Sequence, residues 1–468
     1  MSEYKKLFKN TVAMLIGNFA SKILIFLMLP LYTSVLTTKE YGLSDLIFTT
    51  TNLLFPLFTC LATEYVMRFA LDKEQDKSRV FSSAILITII GFLILLCGYP
   101  ILKNLIKIGN LWGLFYLYYI STTLSNIISQ FVKGLEKIKI YSASGVLNTF
   151  LVVLFNLIFL LYFKLGITGY ILAYVIGAVI TTLYLWISAN LKSYCRMLKK
   201  SEWKYVEEYI RFSFPMIPNS ISWWVNNSLD KYILTVFWGV SATGIYAAGY
   251  KIPSFLTIIS SIFLSAWQIS AVKDFGTEET RVFFSDIYKK YSSLVIIFGC
   301  LIITLSKFIA SVLLSNEFFE AWRFAPVLVF AFVFQTMAGF LGTIYTASKQ
   351  TSMLFLSTMV GALVNAGLNL LLIPHYASLG ASIATAFSYV VVWIIRFIHS
   401  RKKIIRIDIN LTKDCVSYFL LVCVVWLTIE NSIYSFGFSG IIFVVLLITN
   451  RDCIVMIRNL MFKVLRRS

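Results

Sequence analysis

Stretches of about twenty apolar residues recur from one end of the chain to the other, each long enough to cross a bilayer as a helix. A soluble fold cannot accommodate them. The chain is 59% hydrophobic and 13% charged, whereas ordinary soluble domains are about 45–50% apolar and about 25% charged. With 468 residues, one or two cores could not hide that much apolar surface. In lipid every backbone N–H and C=O must find its partner within the protein, so such spans read as helices. The expected fold class is an all-α polytopic membrane protein.

The pattern places fourteen spans at about 12–36, 43–69, 80–99, 111–132, 144–163, 167–190, 212–238, 243–271, 291–315, 323–345, 352–373, 377–398, 415–429 and 433–449. An even count puts both termini on one side. Of 41 Lys and Arg, 32 fall in the N-terminus, the even-to-odd loops with their flanks, and the C-terminus. The opposite loops hold only Lys39, Lys103, Lys107, Lys164 and Arg323. That asymmetry is how membrane proteins fix orientation, and it puts both termini in the cytoplasm. It also accounts for the net charge of +19 without a nucleic-acid partner. The apolar stretch behind Lys5, Lys6 and Lys9 is too long for a cleavable signal and reads as the first span. Seven Cys show no CxxC or Cys/His cluster, so no metal site and no cofactor is expected.

Two halves look like copies. Asn18-Phe-Ala-Ser21 and Tyr41-Gly42-Leu43 around the first span match Asn219-Ser-Ile-Ser222 and Thr243-Gly244-Ile245 around the seventh. Asn156 followed by Leu165-Gly166 matches Asn369 followed by Leu379-Gly380. Six spans separate the copies, so this is a parallel repeat about an axis along the membrane normal. The expected organisation is an N-terminal lobe at 1–190, an amphipathic cytoplasmic linker at 191–211, a C-terminal lobe at 212–400, and two further helices with a basic tail at 401–468. In the linker, Leu198, Trp203, Val206 and Ile210 recur at helical spacing, as in a helix lying on the inner membrane face.

Transporters of this organisation hold their cargo between the halves, and interrupted helices mark the place. Pro30, Pro56, Pro215, Pro218 and Pro253 fall in spans 1, 2, 7 and 8 and are the expected kinks. On span 7, Asn219, Trp223, Asn226 and Asp230 share one helical face, which hydrocarbon would penalise. Asn18 and Lys22 make the corresponding patch on span 1. Charges inside spans are costly and mark function by default, and Lys22, Lys231 and Lys251 give the interior a cationic character. The competing reading is that these groups only bond helices to one another. A cationic, amphiphilic cavity suits an anionic cargo, and phosphate fits the three donors of a Lys.

Phe214-Pro-Met-Ile-Pro-Asn-Ser-Ile-Ser-Trp-Trp, Asp230-Lys-Tyr and Gly244-Ile-Tyr resemble the start of the second half in Wzx-type polysaccharide repeat-unit flippases of the multidrug/oligosaccharidyl-lipid/polysaccharide exporter superfamily. Leu29-Pro-Leu-Tyr-Thr, Leu36-Thr-Thr-Lys-Glu-Tyr-Gly and Leu372-Ile-Pro are similar to that family as well, so the resemblance covers essentially the whole chain. It implies two six-helix lobes plus two C-terminal helices. It also implies an undecaprenyl-diphosphate-linked oligosaccharide as cargo, flipped outward across a bacterial cytoplasmic membrane for surface polysaccharide assembly. Many relatives carry Arg where Lys231 stands; Lys keeps the charge and lacks the bidentate fork.

Function is then transport rather than catalysis, by alternating access of two lobes around a cationic cavity. The partners are the lipid-linked oligosaccharide, membrane lipid and other polysaccharide-assembly proteins. A flippase of lipid-linked peptidoglycan precursor and a multidrug cation antiporter are the alternatives on the same scaffold. A membrane polymerase or glycosyltransferase fits worse, because the short outer loops display scattered, unpaired acids and no catalytic residue stands out. Lys22→Ala or Lys231→Ala is expected to abolish flipping while the protein inserts and accumulates normally; retained transport in both variants would favour the helix-bonding reading.

Overall fold

In the computed structural model the described residues are 24, 26–106, 108–196, 203–273, 280–348, 350–405, 407–408, 411–432 and 434–450. Among them every regular element is helical. Two compact units divide the chain, Met1–Trp224 and Val225–Ser468.

The first unit contains α1 (Leu29–Val35), α2 (Thr38–Thr59), α3 (Ala62–Leu71), α4 (Lys77–Cys97) and the short α5 (Tyr99–Leu105). α6 (Trp112–Gly134), α7 (Ile138–Asn156), α8 (Gly166–Ser188) and the amphipathic α9 (Trp203–Ser213) follow. The Leu36–Gly42 run is a helix-start signal. Thr37 caps α2 by accepting from Glu40 N–H (3.2 Å), and the Glu40 carboxylate accepts in return from Thr37 N–H (2.9 Å). The second oxygen of Glu40 accepts from Ile167 N–H at the start of α8 (3.4 Å). A Cβ on Gly166, whose φ is +54°, would lie 2.7 Å from that oxygen. The left-handed φ favours glycine at this position of the repeat motif, and a Cβ there would also push on the Glu40 carboxylate.

Two apolar cores divide this unit along the length of its helices. One gathers Ile47, Leu54, Leu95, Trp112, Phe115, Tyr119 and Ile171; the other gathers Tyr65, Phe81, Phe131, Leu185, Val206 and Tyr209. Between them the chain breaks at Cys60 and Leu61, both left-handed, and α3 bends 55° from α2. A broken helix leaves backbone groups that lipid cannot satisfy. Here Thr59 Oγ1 donates to Phe55 C=O (2.7 Å) and accepts from Ala62 N–H (3.5 Å). Tyr209, from α9, donates its hydroxyl to Thr59 C=O and stacks on Tyr65 with ring centroids 4.1 Å apart. α9, which overlaps the end of the expected linker, is thus packed into the first unit. The inward face of α9 is Val206, Tyr209 and Ser213, while Trp203 and Ile210 are 54% and 42% exposed.

The second unit continues α10 (Ile217–Gly249), followed by α11 (Lys251–Lys273), α12 (Thr280–Leu313), α13 (Ala325–Ala347), α14 (Thr351–Lys403), α15 (Leu411–Glu430) and α16 (Ser435–Thr449). α10 and α14 are each a helical hairpin. Sixteen residues of straight helix span about 24 Å, yet the Tyr246 hydroxyl donates to the Asp230 carboxylate at 2.6 Å. The chain doubles back at Gly239, where φ is +84°. Likewise Ser388 Oγ donates to Gly361 C=O at 2.9 Å, across the non-helical Ala377. α14 therefore covers the eleventh and twelfth expected spans, whereas α10 covers the seventh and only the start of the eighth, which continues as α11. By length and composition eight described helical runs can cross a membrane, or nine if α2 and α3 are one bent span. α13 is buried on all sides and forms the centre of the unit. On its flank Trp267 stacks on Phe340 (4.9 Å) and donates to Thr343 Oγ1 (2.7 Å).

Large apolar side chains point outward in both units, among them Ile187 (76%), Val236 (79%) and Trp426 (71%). In water these would be liabilities; against acyl chains they are solvated. The chain is a multi-pass membrane protein. Because lipid is as apolar as the helix surfaces, helices stay together only through close approach or polar bonds. α4 meets α2 at Gly91, where a Cβ would lie 1.7 Å from Phe58 C=O, whereas Gly113 on α6 has nothing within 4 Å. Gly91→Ala is expected to destabilise the detergent-solubilised protein by about 1–3 kcal/mol or more, read as thermal unfolding, with Gly113→Ala unchanged within error.

Candidate functional site

Of the expected site residues, Asn18 and Lys22 lie outside the described residues. The remaining ones lie on α10 and at the start of α11. Along the predicted face of α10, Asn219 is partly buried, Trp223 is 39% exposed, Asn226 is 2% exposed and Asp230 is fully buried. Lys231 is 7% exposed, and Lys251, the first residue of α11, is exposed.

Within the second unit these side chains meet specific partners. Asn226 donates to Thr358 C=O (3.0 Å) and accepts from Ser388 Oγ (2.8 Å), joining α10 to both arms of α14. Its neighbour Asn227 accepts from Tyr389 (2.8 Å) and from Gln335 on α13 (3.3 Å), and Gln335 also donates to the Tyr389 hydroxyl (2.8 Å). Asp230 holds Tyr246 through one oxygen and accepts Lys231 N–H through the other (2.9 Å). Successive residues on a helix point about 100° apart, so Lys231 takes another direction. Its ammonium stands 5.5 Å above the Tyr250 ring, a cation–π arrangement. The Lys231 carbonyl accepts from Thr235 on its own arm (2.8 Å) and from Thr243 across the hairpin (3.2 Å). The Asp230-Lys-Tyr and Gly244-Ile-Tyr motifs are thereby brought together by one turn.

The prolines fall at element starts or near breaks. Pro30 is in the first turn of α1, Pro215 in the short 3-10 turn Phe214–Met216, Pro218 at the start of α10 and Pro253 in the first turn of α11. A missing N–H breaks no helical bond in a first turn. Pro56 lies inside α2, four residues before the Cys60–Leu61 break. Pro374 lies inside α14, three before Ala377, and the sequence reading did not name it as a kink.

Two charged positions escaped the sequence reading. Arg396, near the end of the twelfth expected span, is 2% exposed within α14. Its guanidinium donates to Ser357 Oγ (2.9 Å), Ala338 C=O (2.8 Å), Thr358 Oγ1 (2.9 Å) and Leu354 C=O (3.5 Å). A bulky fork with five donors can bind several neutral oxygens at once, and here it ties α13 to both arms of α14. Asp45, inside α2 and partly buried, is the other; a carboxylate within a span was the signal available. Among the described residues no group of three or more His, Cys, Asp or Glu is placed to hold a metal ion.

Both partners of the Asp230–Tyr246 bond are buried. Tyr246→Phe removes a charge-directed hydrogen bond and is expected to cost about 1.5–3 kcal/mol of stability, read as a lower unfolding temperature in detergent; an unchanged temperature would mean that other groups hold the hairpin closed.

The second unit thus buries ionisable groups within its helix hairpins. Comparison with known proteins gives the family and the fold. The family described as polysaccharide biosynthesis protein matches residues 7–272. An uncharacterized membrane protein of Methanocaldococcus jannaschii is 24% identical over 417 residues, covering 83% of this chain and 96% of the relative. Among solved structures, the lipid II flippase MurJ in an inward closed conformation superposes with a TM-score of 0.70 at 13% identity, covering 96% of this chain and all of that one. An inward-facing multidrug resistance MATE family transporter of the MOP superfamily gives 0.64 at 14% identity, over 83% of this chain and 94% of that one. The fold is therefore that of the solved flippase and transporter structures, and the chain itself belongs to the polysaccharide biosynthesis protein family.

Proposed function

We propose that the protein flips undecaprenyl-diphosphate-linked oligosaccharide repeat units from the cytoplasmic to the outer leaflet of a bacterial cytoplasmic membrane, with both of its termini in the cytoplasm, for capsule, O-antigen or related surface polysaccharide. The observation that carries this reading is an ammonium, Lys231, held 7% exposed inside a membrane helix of a polysaccharide biosynthesis family member. A buried cation is costly in lipid and suits a cargo whose headgroup is a diphosphate. Lys22 and Lys251 are the further cations of this reading, with Asn18, Asn219, Trp223, Asn226 and Asp230 lining the path.

The physical difficulty is a headgroup that hydrocarbon excludes, since each unpaired hydroxyl costs several kcal/mol and bare charge far more. On this proposal the headgroup enters an aqueous, cationic cavity while the isoprenoid tail stays in lipid. Alternating access then exposes the cavity to the other side. Exporting two negative charges against an inside-negative potential gains about 2.3 kcal/mol per charge per 100 mV, so the potential itself can bias the direction.

The test is reconstitution. Proteoliposomes given undecaprenyl-diphosphate-linked oligosaccharide should flip it, and collapsing the potential with pH held equal should slow outward flipping. An unchanged rate would remove the electrical drive. Flipping only of a lipid-linked peptidoglycan precursor, or exchange of cationic drugs in its place, would reassign the cargo.

A further inference from the structure

We propose that the break between α2 and α3 is a two-state hinge and that the Tyr209 hydroxyl is its latch. Docked, α9 holds the helix bent; its release lets α2 and α3 close into one straight helix. Cys60 and Leu61 have φ of +47° and +54°, a conformation that L-residues other than glycine and asparagine seldom adopt. Such residues persist only where their surroundings impose them, and they cluster at switching elements. The run Phe58-Thr-Cys-Leu-Ala62 contains neither glycine nor asparagine, so the 55° bend is imposed from outside it. An exchange of donors shows how. In an unbroken helix each carbonyl accepts from the N–H four residues on, so Thr59 C=O would take Thr63 N–H and Phe58 C=O would take Ala62 N–H. With residues 60 and 61 left-handed, Thr59 C=O accepts the Tyr209 hydroxyl instead, and Ala62 N–H donates to Thr59 Oγ1 (3.5 Å). Tyr209 is fully buried and stacks on Tyr65, with ring centroids 4.1 Å apart and planes 10° from parallel. In apolar surroundings, a Thr59 carbonyl without Tyr209 is satisfied by closing the helix.

The repeat supplies the straight form. At the offset that relates Gly42 to Gly244, Thr59-Cys-Leu61 corresponds to Ser261-Ile-Phe263. There α11 runs unbroken from Lys251 to Lys273, its span being interrupted at Tyr250 instead. Trp267, the counterpart of Tyr65, stacks on Phe340 of α13, whereas Tyr65 stacks on the crossover helix. The same place in the repeat thus accommodates a straight helix, and the bend accompanies α9. Through Phe214–Met216, α9 leads directly into α10, so a displacement at the start of α10 reaches the hinge through Tyr209. The latch belongs to the first unit and stands whatever cargo is carried.

The experiment is a double electron–electron resonance distance measurement on the full chain. Spin labels are placed by Lys39→Cys and Leu71→Cys, exposed positions on either side of the hinge, with every native Cys replaced by Ala. At about 1.5 Å per residue the pair is about 43 Å apart when bent by 55° and about 48 Å apart when straight. The reference protein should show the shorter distance. Tyr209→Phe keeps the ring and removes the hydroxyl, and it should raise the long-to-short ratio about fivefold, the worth of one neutral hydrogen bond. Cys60→Gly in the Tyr209→Phe background should bring the ratio back, because glycine takes the left-handed region freely. Tyr205→Phe removes a hydroxyl that ties α9 to Arg79 on α4 and should leave the distances unchanged. An unaltered distribution in Tyr209→Phe would overturn the proposal. So would equal lengthening in Tyr205→Phe, which would assign the bend to the seating of α9 as a whole, or no return with Cys60→Gly, which would place the change outside the break. Should Tyr209→Phe fail to fold, Thr59→Val removes the acceptor of Ala62 N–H and decides the matter in the same way: the longer distance supports the hinge, and an unchanged one overturns it.

Discussion

Lipid offers helices no hydrophobic reward for touching each other, and helix contacts among the described residues reflect that constraint. Two solutions recur. Where backbones approach closely, glycine is the residue present, as at Gly91 against Phe58 and at Gly380, where a Cβ would lie 2.5 Å from Leu372 C=O. Where they stand further apart, a polar side chain bridges them. Arg396 does this with four bonds to neutral oxygens, and Asn226 does it with two, one to each arm of α14. The same constraint acts on broken helices. The Cys60–Leu61 break leaves backbone oxygens that Thr59 and Tyr209 engage, so an element at the membrane surface completes a helix inside it.

This bears on how the polar face of α10 is read. Asn226 and Asp230 hold the second unit's hairpins together, each through partners seen in the structure. Trp223 remains partly exposed on the same face, and Lys231 sits one residue on from Asp230. The bonds at Asn226 and Asp230 are those that the competing, helix-bonding reading of this face expects. The hairpin at Gly239 brings Asp230 to Tyr246 within one element and Lys231 to Tyr250 just past its end. A carboxylate and an ammonium adjacent in sequence are thereby given separate surroundings.

Much of this was legible from residues alone. Apolar run length placed the helices, because it is a local property of chain and solvent; the second span was expected from 43, whereas the capping box at Thr37 and Glu40 starts α2 at Thr38. Asn156 and Asn369, paired by the repeat, are both fully buried, and each bonds through its Nδ2 to the residue four before it. The α9 face was legible only in part. Periodicity marked it amphipathic, but the choice of Tyr209 as its buried anchor depends on a carbonyl exposed by a break 150 positions earlier.

The sequence by itself therefore determined the solvent this protein lives in, its helical class and its repeat, since lipid penalises any unsatisfied backbone wherever it occurs. Only the tertiary structure decided the roles of its charges. Arg396 and Lys231 are both basic residues in apolar surroundings, and no local rule separates them. One is enclosed by four neutral oxygens and the other lies over an aromatic ring, because helix packing, not chain neighbours, determines which donors and acceptors meet.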